Sequence, residues 1–279
     1  MKALMRFATL LVLVALVACA TTAAGGSRLT ESAELWDASR DRHIPIAVYF
    51  PARPHDCIRD RPCPVALLSP GYGLRHTDYS FVAATLARSG YLVVAIQHDL
   101  PTDAPLSRSG DLFASRMPAW HRGVENLHFV RDALSRTHTG FDWSRLTLVG
   151  HSNGGDISAL FVHRSPALAT ALVTLDHRRY PLPRSRSIKV LSIRGSDFEA
   201  DPGVLPTAQE ANAGTCITAI AGARHNDMND HGPTELQSRI GTLISQFLDD
   251  GRCGPPGQVQ KTGALAVRCS GKPTAAIRH

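Results

Sequence analysis

The stretch "RLTLVGHSNGGDISALFVHR" (residues 145–164) decides the fold. Its first third is a short apolar run with Thr147 and Val149, which reads as a buried strand, and its second half, "GGDISALFVHR", has a helical pattern. Between them, Gly150, His151, Ser152, Asn153 and Gly154 form a GxSxG pentapeptide. A serine on such a turn takes a strained backbone conformation, and side chains two positions before and after it would collide, which is why glycines stand there. The helix that follows points its N–H groups and the positive end of its dipole at the serine, where developing negative charge is favoured. The pentapeptide alone is a common pattern. Ser152 reads as a nucleophile only if the rest of the chain supplies a frame, a base and an acid.

The frame is an alternation of apolar β-rich runs with helical patterns, which predicts an α/β fold with a mainly parallel central sheet covered by helices on both faces. Strands are expected at 44–50, 64–70, 91–97, 145–150, 170–176, 188–195 and 215–221. Helices are expected at 78–90, 121–137, 154–164 and 233–250. A chain of 279 residues can bury one sizeable core, and it contains no internal repeat. The segment 99–120 contains proline, serine and apolar residues, and is expected to be a substrate-lining loop, a short lid or a plain connection. Beyond Gly251 the periodicity stops, so the domain is placed at 34–250 and residues 251–279 are read as an irregular tail.

The N-terminus, "MKALMRFATLLVLVALVAC", has two basic residues and then an apolar run from Phe7 to Val17, the layout of an export signal over 1–18 followed by a linker over 19–33. Its end, "LVAC", resembles a bacterial lipobox, which makes Cys19 the expected lipid-modified N-terminus. Ordinary signal cleavage is the other reading. Either places the protein outside the cytoplasm, in the periplasm, anchored to a membrane by lipid, or secreted. Export permits disulfides: Cys57 and Cys63 share one proline-rich loop, and Cys216, Cys253 and Cys269 leave an odd count. The net charge of +6 is spread without a dense basic cluster, which argues against nucleic-acid binding.

An elbow serine in this architecture is followed in chain order by an acid and then by a histidine after the last strand. His225, just past "TCITAIA", is the expected base, with His231 less well placed at the start of the last helix. The acid is either Asp176, ending one strand, or Asp197 or Asp201 after the next. "RHNDMNDH" (224–231) carries histidines and aspartates but lacks helical metal-ligand spacing, so no metal is expected. His98 and Asp99 sit at the same sheet edge, where they either line the pocket or bond locally, and His151 is expected to pack beneath the turn. Phe113, Met117 and Trp120 are candidate acyl-pocket contacts.

The runs "LLSPGYGLRHTDYSFVAATLARSGYLVVAIQHD" (67–99), "GHSNGG" (150–155) and "TLDHRRYPLPR" (174–184) resemble the platelet-activating-factor acetylhydrolase branch of the α/β-hydrolases, and share much with its dienelactone-hydrolase-like and polyester-hydrolase branches. The matching residues include Gly71, Gly73, Arg75, Tyr79 and Ser80, with a departure at Pro70, where that family usually has histidine. The resemblance implies a cofactor-independent serine hydrolase of carboxylic esters, of short-acyl or phospholipid type, working through an acyl-enzyme on Ser152. It selects Asp176 as the acid and implies the backbone N–H groups of Tyr72 and Asn153 as oxyanion donors. The expected partner is a small ester, with a membrane reached only through the lipid anchor. Two other functions stay open: hydrolysis of polyesters or other non-lipid esters, and a non-catalytic exported binding protein on the same fold.

Overall fold

The computed structural model describes residues 29–210, 214–251 and 253 of the chain. The export segment, Cys19, Cys269 and all but the first residues of the tail lie outside the described residues.

The elements run β1 (Leu29–Asp37), β2 (Arg42–Tyr49), β3 (Cys63–Ser69), α1 (Ser80–Arg88), β4 (Leu92–Ile96), α2 (Leu112–Ser135), β5 (Phe141–His151), α3 (Asn153–Arg164), β6 (Ala169–Leu175), β7 (Lys189–Arg194), β8 (Thr215–Ala219) and α4 (Thr234–Asp250). The strands form one eight-stranded sheet in the order β1-β2-β4-β3-β5-β6-β7-β8. β1, β2 and β4 pair antiparallel, and every pairing from β4 through β3 to β8 is parallel. This is the α/β-hydrolase arrangement.

Strand residues alternate between two apolar layers, as the pleat requires. Val65, Leu67, Val94, Leu148 and Leu172 face α2 and α3, where Trp120, Leu127, Ile157 and Phe161 complete one core. Ala66, Leu68, Val93, Val149 and Val173 face α1 and α4, where Val82, Leu86, Ile240 and Phe247 complete the other. Because both faces are covered, the central strands are largely apolar and stand out as runs, whereas the edge strand β8 alternates buried and exposed residues.

The structure corrects the sequence reading in two places. Residues 29–33, expected to be linker, form the first half of β1, an edge strand of mixed sequence "LTESAELWD" in which residues 31–36 are exposed or half-buried. It is held by its hairpin with β2 and by Trp36 against His43, ring centroids 4.6 Å apart. Helix α2 begins at Leu112 rather than at His121, so half of the expected loop at 99–120 is helical. Asp111 caps it by accepting the Ala114 N–H at 3.0 Å, and the helix continues through Pro118 to bury Trp120.

Among the described residues two disulfides are formed, Cys57–Cys63 and Cys216–Cys253. The second joins β8 to the residues just beyond α4, so the start of the tail is tied to the sheet. Among the described residues no helix is long and apolar enough to cross a membrane.

Candidate active site

The parallel strands all deliver their C-terminal ends to one edge of the sheet, and the crevice there is where this class of fold collects its chemistry. Ser152 sits at that edge between β5 and α3 with φ 50° and ψ −120°, a left-handed backbone unusual for a residue with a side chain. Its N–H donates to the Leu175 carbonyl at 2.9 Å, pinning the turn to the end of β6. A Cβ at Gly150 would stand 2.2 Å from the Gly154 carbonyl oxygen, and one at Gly154 would stand 2.2 Å from the Ser69 carbonyl oxygen. Both glycines are sterically required. The second contact also shows how closely the turn after β3, which carries Tyr72, lies against the N-terminus of α3.

The structure brings Ser152, His225 and Asp176 together. His225 Nε2 lies 2.9 Å from Ser152 Oγ, and His225 Nδ1 lies 2.6 Å from Asp176 Oδ2. Asp176 is fully buried with φ 46°, its N–H donating to the Ile193 carbonyl at 2.8 Å. Its other oxygen, Oδ1, accepts the Gly195 N–H at 3.0 Å and faces an Arg194 guanidinium nitrogen at 3.0 Å. Burial opposes charge on this carboxyl, but the His225 hydrogen bond, the Arg194 charge and the Gly195 N–H outweigh it and hold its pKa below the ordinary aspartate value. An ionised Asp176 can only accept, so His225 carries its proton on Nδ1 and donates it in a hydrogen bond to Asp176, which leaves Nε2 facing the serine as an acceptor.

Asp197 is used differently. Its Oδ1 accepts the backbone N–H of His225 at 2.8 Å, so it fixes the loop rather than the ring. Asp201 faces Arg179 at 4.0 Å with its side chain half exposed. His231 is also exposed and lies 3.7 Å from Asp78. Asp230 accepts the N–H groups of Ser80 and Phe81 at 2.7 and 3.2 Å, capping α1 from the far end of the chain. Among the described residues no group of three or more histidine, cysteine, aspartate or glutamate side chains is arranged to hold a metal ion.

Ser152, His225, His151, Tyr72, Leu74 and Asn226 line a small cavity of about 180 Å³. A larger groove of about 570 Å³ between α1 and α4 shares no lining residue with it. Behind the nucleophile, Trp120 is fully buried and its indole N–H donates to Asn153 Oδ1 at 2.8 Å. Phe113 stacks on Tyr180 and meets Trp120 edge-on, at centroid distances of 5.8 and 5.6 Å, while Met117 packs against the core beside them. Phe198 meets the His225 ring edge-on at 5.6 Å. Tyr72, Phe113 and Phe198 are among the few large apolar side chains left exposed.

His98 and Asp99 bond locally. His98 Nε2 lies 2.9 Å from Ser69 Oγ in a fully buried pocket, and burial pushes its pKa down to about 3. Asp99 faces Arg122 at 3.2 Å. Sequence reasoning missed Arg194 and Gly195, which hold the second oxygen of Asp176. Their only sequence signal is their position at the end of the strand neighbouring that acid.

No family model matches the chain. It is 29% identical over 105 residues to cutinase est1 of Thermobifida alba, a match covering 38% of this chain and 32% of that protein. It is 29% identical over 102 residues to a probable 1-alkyl-2-acetylglycerophosphocholine esterase of Arthroderma benhamiae, covering 33% of this chain and 26% of that one. The matches thus span about a third or less of the relatives' length. Among solved structures, it superposes on a ferulic acid esterase from Streptomyces cinnamoneus with TM-score 0.51 and 18% identity, covering 85% of this chain and 84% of that one. It also superposes on Thermogutta terrifontis esterase 2 phosphoramylated by tabun with TM-score 0.58 and 13% identity, covering 82% and 98%. By its sheet order, its strand–serine–helix elbow and these superpositions, the chain has the α/β-hydrolase fold, and over part of its length it is similar to a cutinase and a probable esterase.

Proposed function

We propose that the chain is a serine hydrolase of carboxylic esters. The observation that carries this reading is the continuous hydrogen-bonded line Ser152–His225–Asp176, 2.9 and 2.6 Å long, at the C-terminal edge of the sheet. Ser152 Oγ attacks the ester carbonyl while His225 Nε2 takes its proton. The resulting oxyanion is held by the N–H groups of Tyr72 and Asn153, the second of which lies in the first turn of α3. His225 then returns the proton to the leaving alcohol, and water repeats the sequence to release the acid. Asp176 holds the imidazole in the required tautomer and stabilises its charged form. Nucleophile, base and charge stabilisation are all supplied by the chain, so the reaction calls for no cofactor.

The cavity of about 180 Å³ favours a short acyl group on the ester. The similarity to cutinases, together with the exposed Tyr72 in the cavity wall and the exposed Phe198 against the His225 ring, favours as a second reading an ester presented on an extended apolar chain, such as a polyester. The two disulfides suit an oxidising compartment, and with the N-terminal sequence they support export, with Cys19 as lipid attachment site. Replacing Cys19 by alanine is expected to move the protein from the membrane fraction to the soluble one.

A fluorophosphonate probe tests the core of the reading. The wild-type protein should be labelled on Ser152 and should hydrolyse p-nitrophenyl acetate faster than longer acyl esters, whereas Ser152→Ala should do neither. A wild-type protein that is folded, unlabelled and inert would instead point to a non-catalytic binding role. A film of aliphatic polyester hydrolysed faster than soluble esters would favour the second reading.

A further inference from the structure

Behind the cavity runs a second line of hydrogen bonds that the reaction does not consume. The Gly71 N–H donates to the Tyr79 hydroxyl oxygen at 2.9 Å. That hydroxyl lies 2.7 Å from His151 Nδ1, and His151 Nε2 lies 3.0 Å from the backbone carbonyl oxygen of His225. Tyr79 and His151 are 1% and 2% exposed, so no water competes for these groups.

The direction of each bond follows from the chemistry of the groups. A carbonyl oxygen only accepts, so His151 carries its proton on Nε2. Burial, with His225 alongside, pushes the His151 pKa down to about 3, so the ring is neutral and Nδ1 is a bare acceptor. Tyr79 must therefore donate to Nδ1, and its oxygen is left to accept from Gly71. Every donor and acceptor in the line is used once. Both ends are backbone groups, so no proton passes through it and its effect can only be geometric.

The ends of the line matter because of what adjoins them. Gly71 immediately precedes Tyr72, one of the two oxyanion donors proposed above, and the other end is the backbone of the base itself. The line passes through the residue just before the nucleophile. Space is shaped to fit it, since a Cβ at Gly71 would stand 2.8 Å from His151 Nδ1 and 3.2 Å from the Tyr79 oxygen.

We infer that Tyr79 and His151 are positioning residues that set the spacing between the oxyanion turn at Gly71–Tyr72 and His225. The inference rests on the ester-hydrolase reading of Ser152. An oxyanion donor works over a narrow range of about 2.7–3.1 Å, so a shift of a fraction of an ångström in the turn weakens transition-state binding while leaving substrate access intact.

Three variants, each titrated for active sites with a fluorophosphonate, test this. Tyr79→Phe removes one oxygen and leaves the ring in place. His151→Gln keeps an N–H for the His225 carbonyl and removes the ring Nδ1 to which Tyr79 donates. Each is expected to lower kcat per titrated site by about 10- to 100-fold with KM nearly unchanged, and to weaken binding of a phenylboronic acid, which becomes tetrahedral on Ser152, by a similar factor. The double variant should be no worse than the poorer single one, because both break the same link. Wild-type kcat and boronate affinity per titrated site in Tyr79→Phe, with only a lower melting temperature, would overturn the inference. So would single effects that multiply in the double variant. If Tyr79→Phe does not fold, His151→Gln and its boronate affinity decide alone. An inert, unlabelled wild-type protein would mark failure of the hydrolase reading and is seen before any variant is made.

Discussion

Among the described residues, three other than glycine have a left-handed backbone, and they fall in two unlike places. Asp41, φ 52°, is in the exposed turn of the β1–β2 hairpin, where a short polar side chain tolerates that conformation at small cost. Ser152, φ 50°, and Asp176, φ 46°, stand instead at the ends of the neighbouring strands β5 and β6. Each is pinned by its own N–H to the next strand over, Ser152 to Leu175 and Asp176 to Ile193. In the hairpin the unusual backbone is a local solution to reversing the chain. At the sheet edge it is held against its own preference by two layers of packed strand, and it aims two side chains at one histidine. Strain persists only where surrounding structure over-determines it, which is the expected sign of a working site.

The sharpest way to break this comparison is at the acid. Asp176→Asn should keep the fold but lower kcat by about 10⁴-fold, as loss of the orienting carboxylate does in a serine–histidine–aspartate site. Asp197→Asn, which removes one backbone anchor of His225, should cost about tenfold. Steady-state kinetics on the two variants separates the roles, and a reversal would exchange them. At the elbow, Gly150→Ala drives a methyl group into the Gly154 carbonyl and should cost about 3 kcal/mol or more of stability in denaturant melts.

The same packing makes stability depend on pH. Burial pushes His98, His151 and His177 down to about 3, so below about pH 6.5 the unfolded chain takes up three protons that the native state refuses. Asp156, pushed up to about 6 by burial, acts in the opposite sense, holding a proton in the native state that the unfolded chain loses above about pH 4. Near pH 5 the balance is about two protons taken up on unfolding. These four groups therefore make stability fall by a few kcal/mol per pH unit on acidification through that region. Urea melts from pH 7.5 to 4.5 check the sign. Asp156→Asn should be more stable than wild type at pH 7.5 by about 1–3 kcal/mol, with the advantage vanishing toward pH 4. The smallest effect belongs to the hairpin: Asp41→Gly should change stability by less than about 1 kcal/mol and leave esterase activity unaltered.

How much of this was legible varies along the chain. The apolar runs of the central strands β3 to β7 are largely buried on both faces and announce themselves, whereas β1 is a mixed edge, exposed or half-buried over residues 31–36, that sets Ala33 and Leu35 against the core. Helix α1, expected at 78–90, begins at Ser80. The N–H groups at its start are capped by Asp230. Helix α2, expected only from His121, starts nine residues earlier, where the Asp111 cap and burial of Trp120 carry it through Pro118.

At the candidate site the sequence by itself determined the strand–serine–helix frame and the order serine, aspartate, histidine. Both are local or sequential properties, set by glycine sterics and by the alternation of strand and helix. It left Asp176 and Asp197 as rivals, because each follows a strand. Only the tertiary structure decided which of them faces the His225 ring and which faces its backbone. It alone joined Gly71, Tyr79, His151 and His225 into one line, since residues distant in sequence meet at the sheet edge through packing, and packing has no periodicity to read.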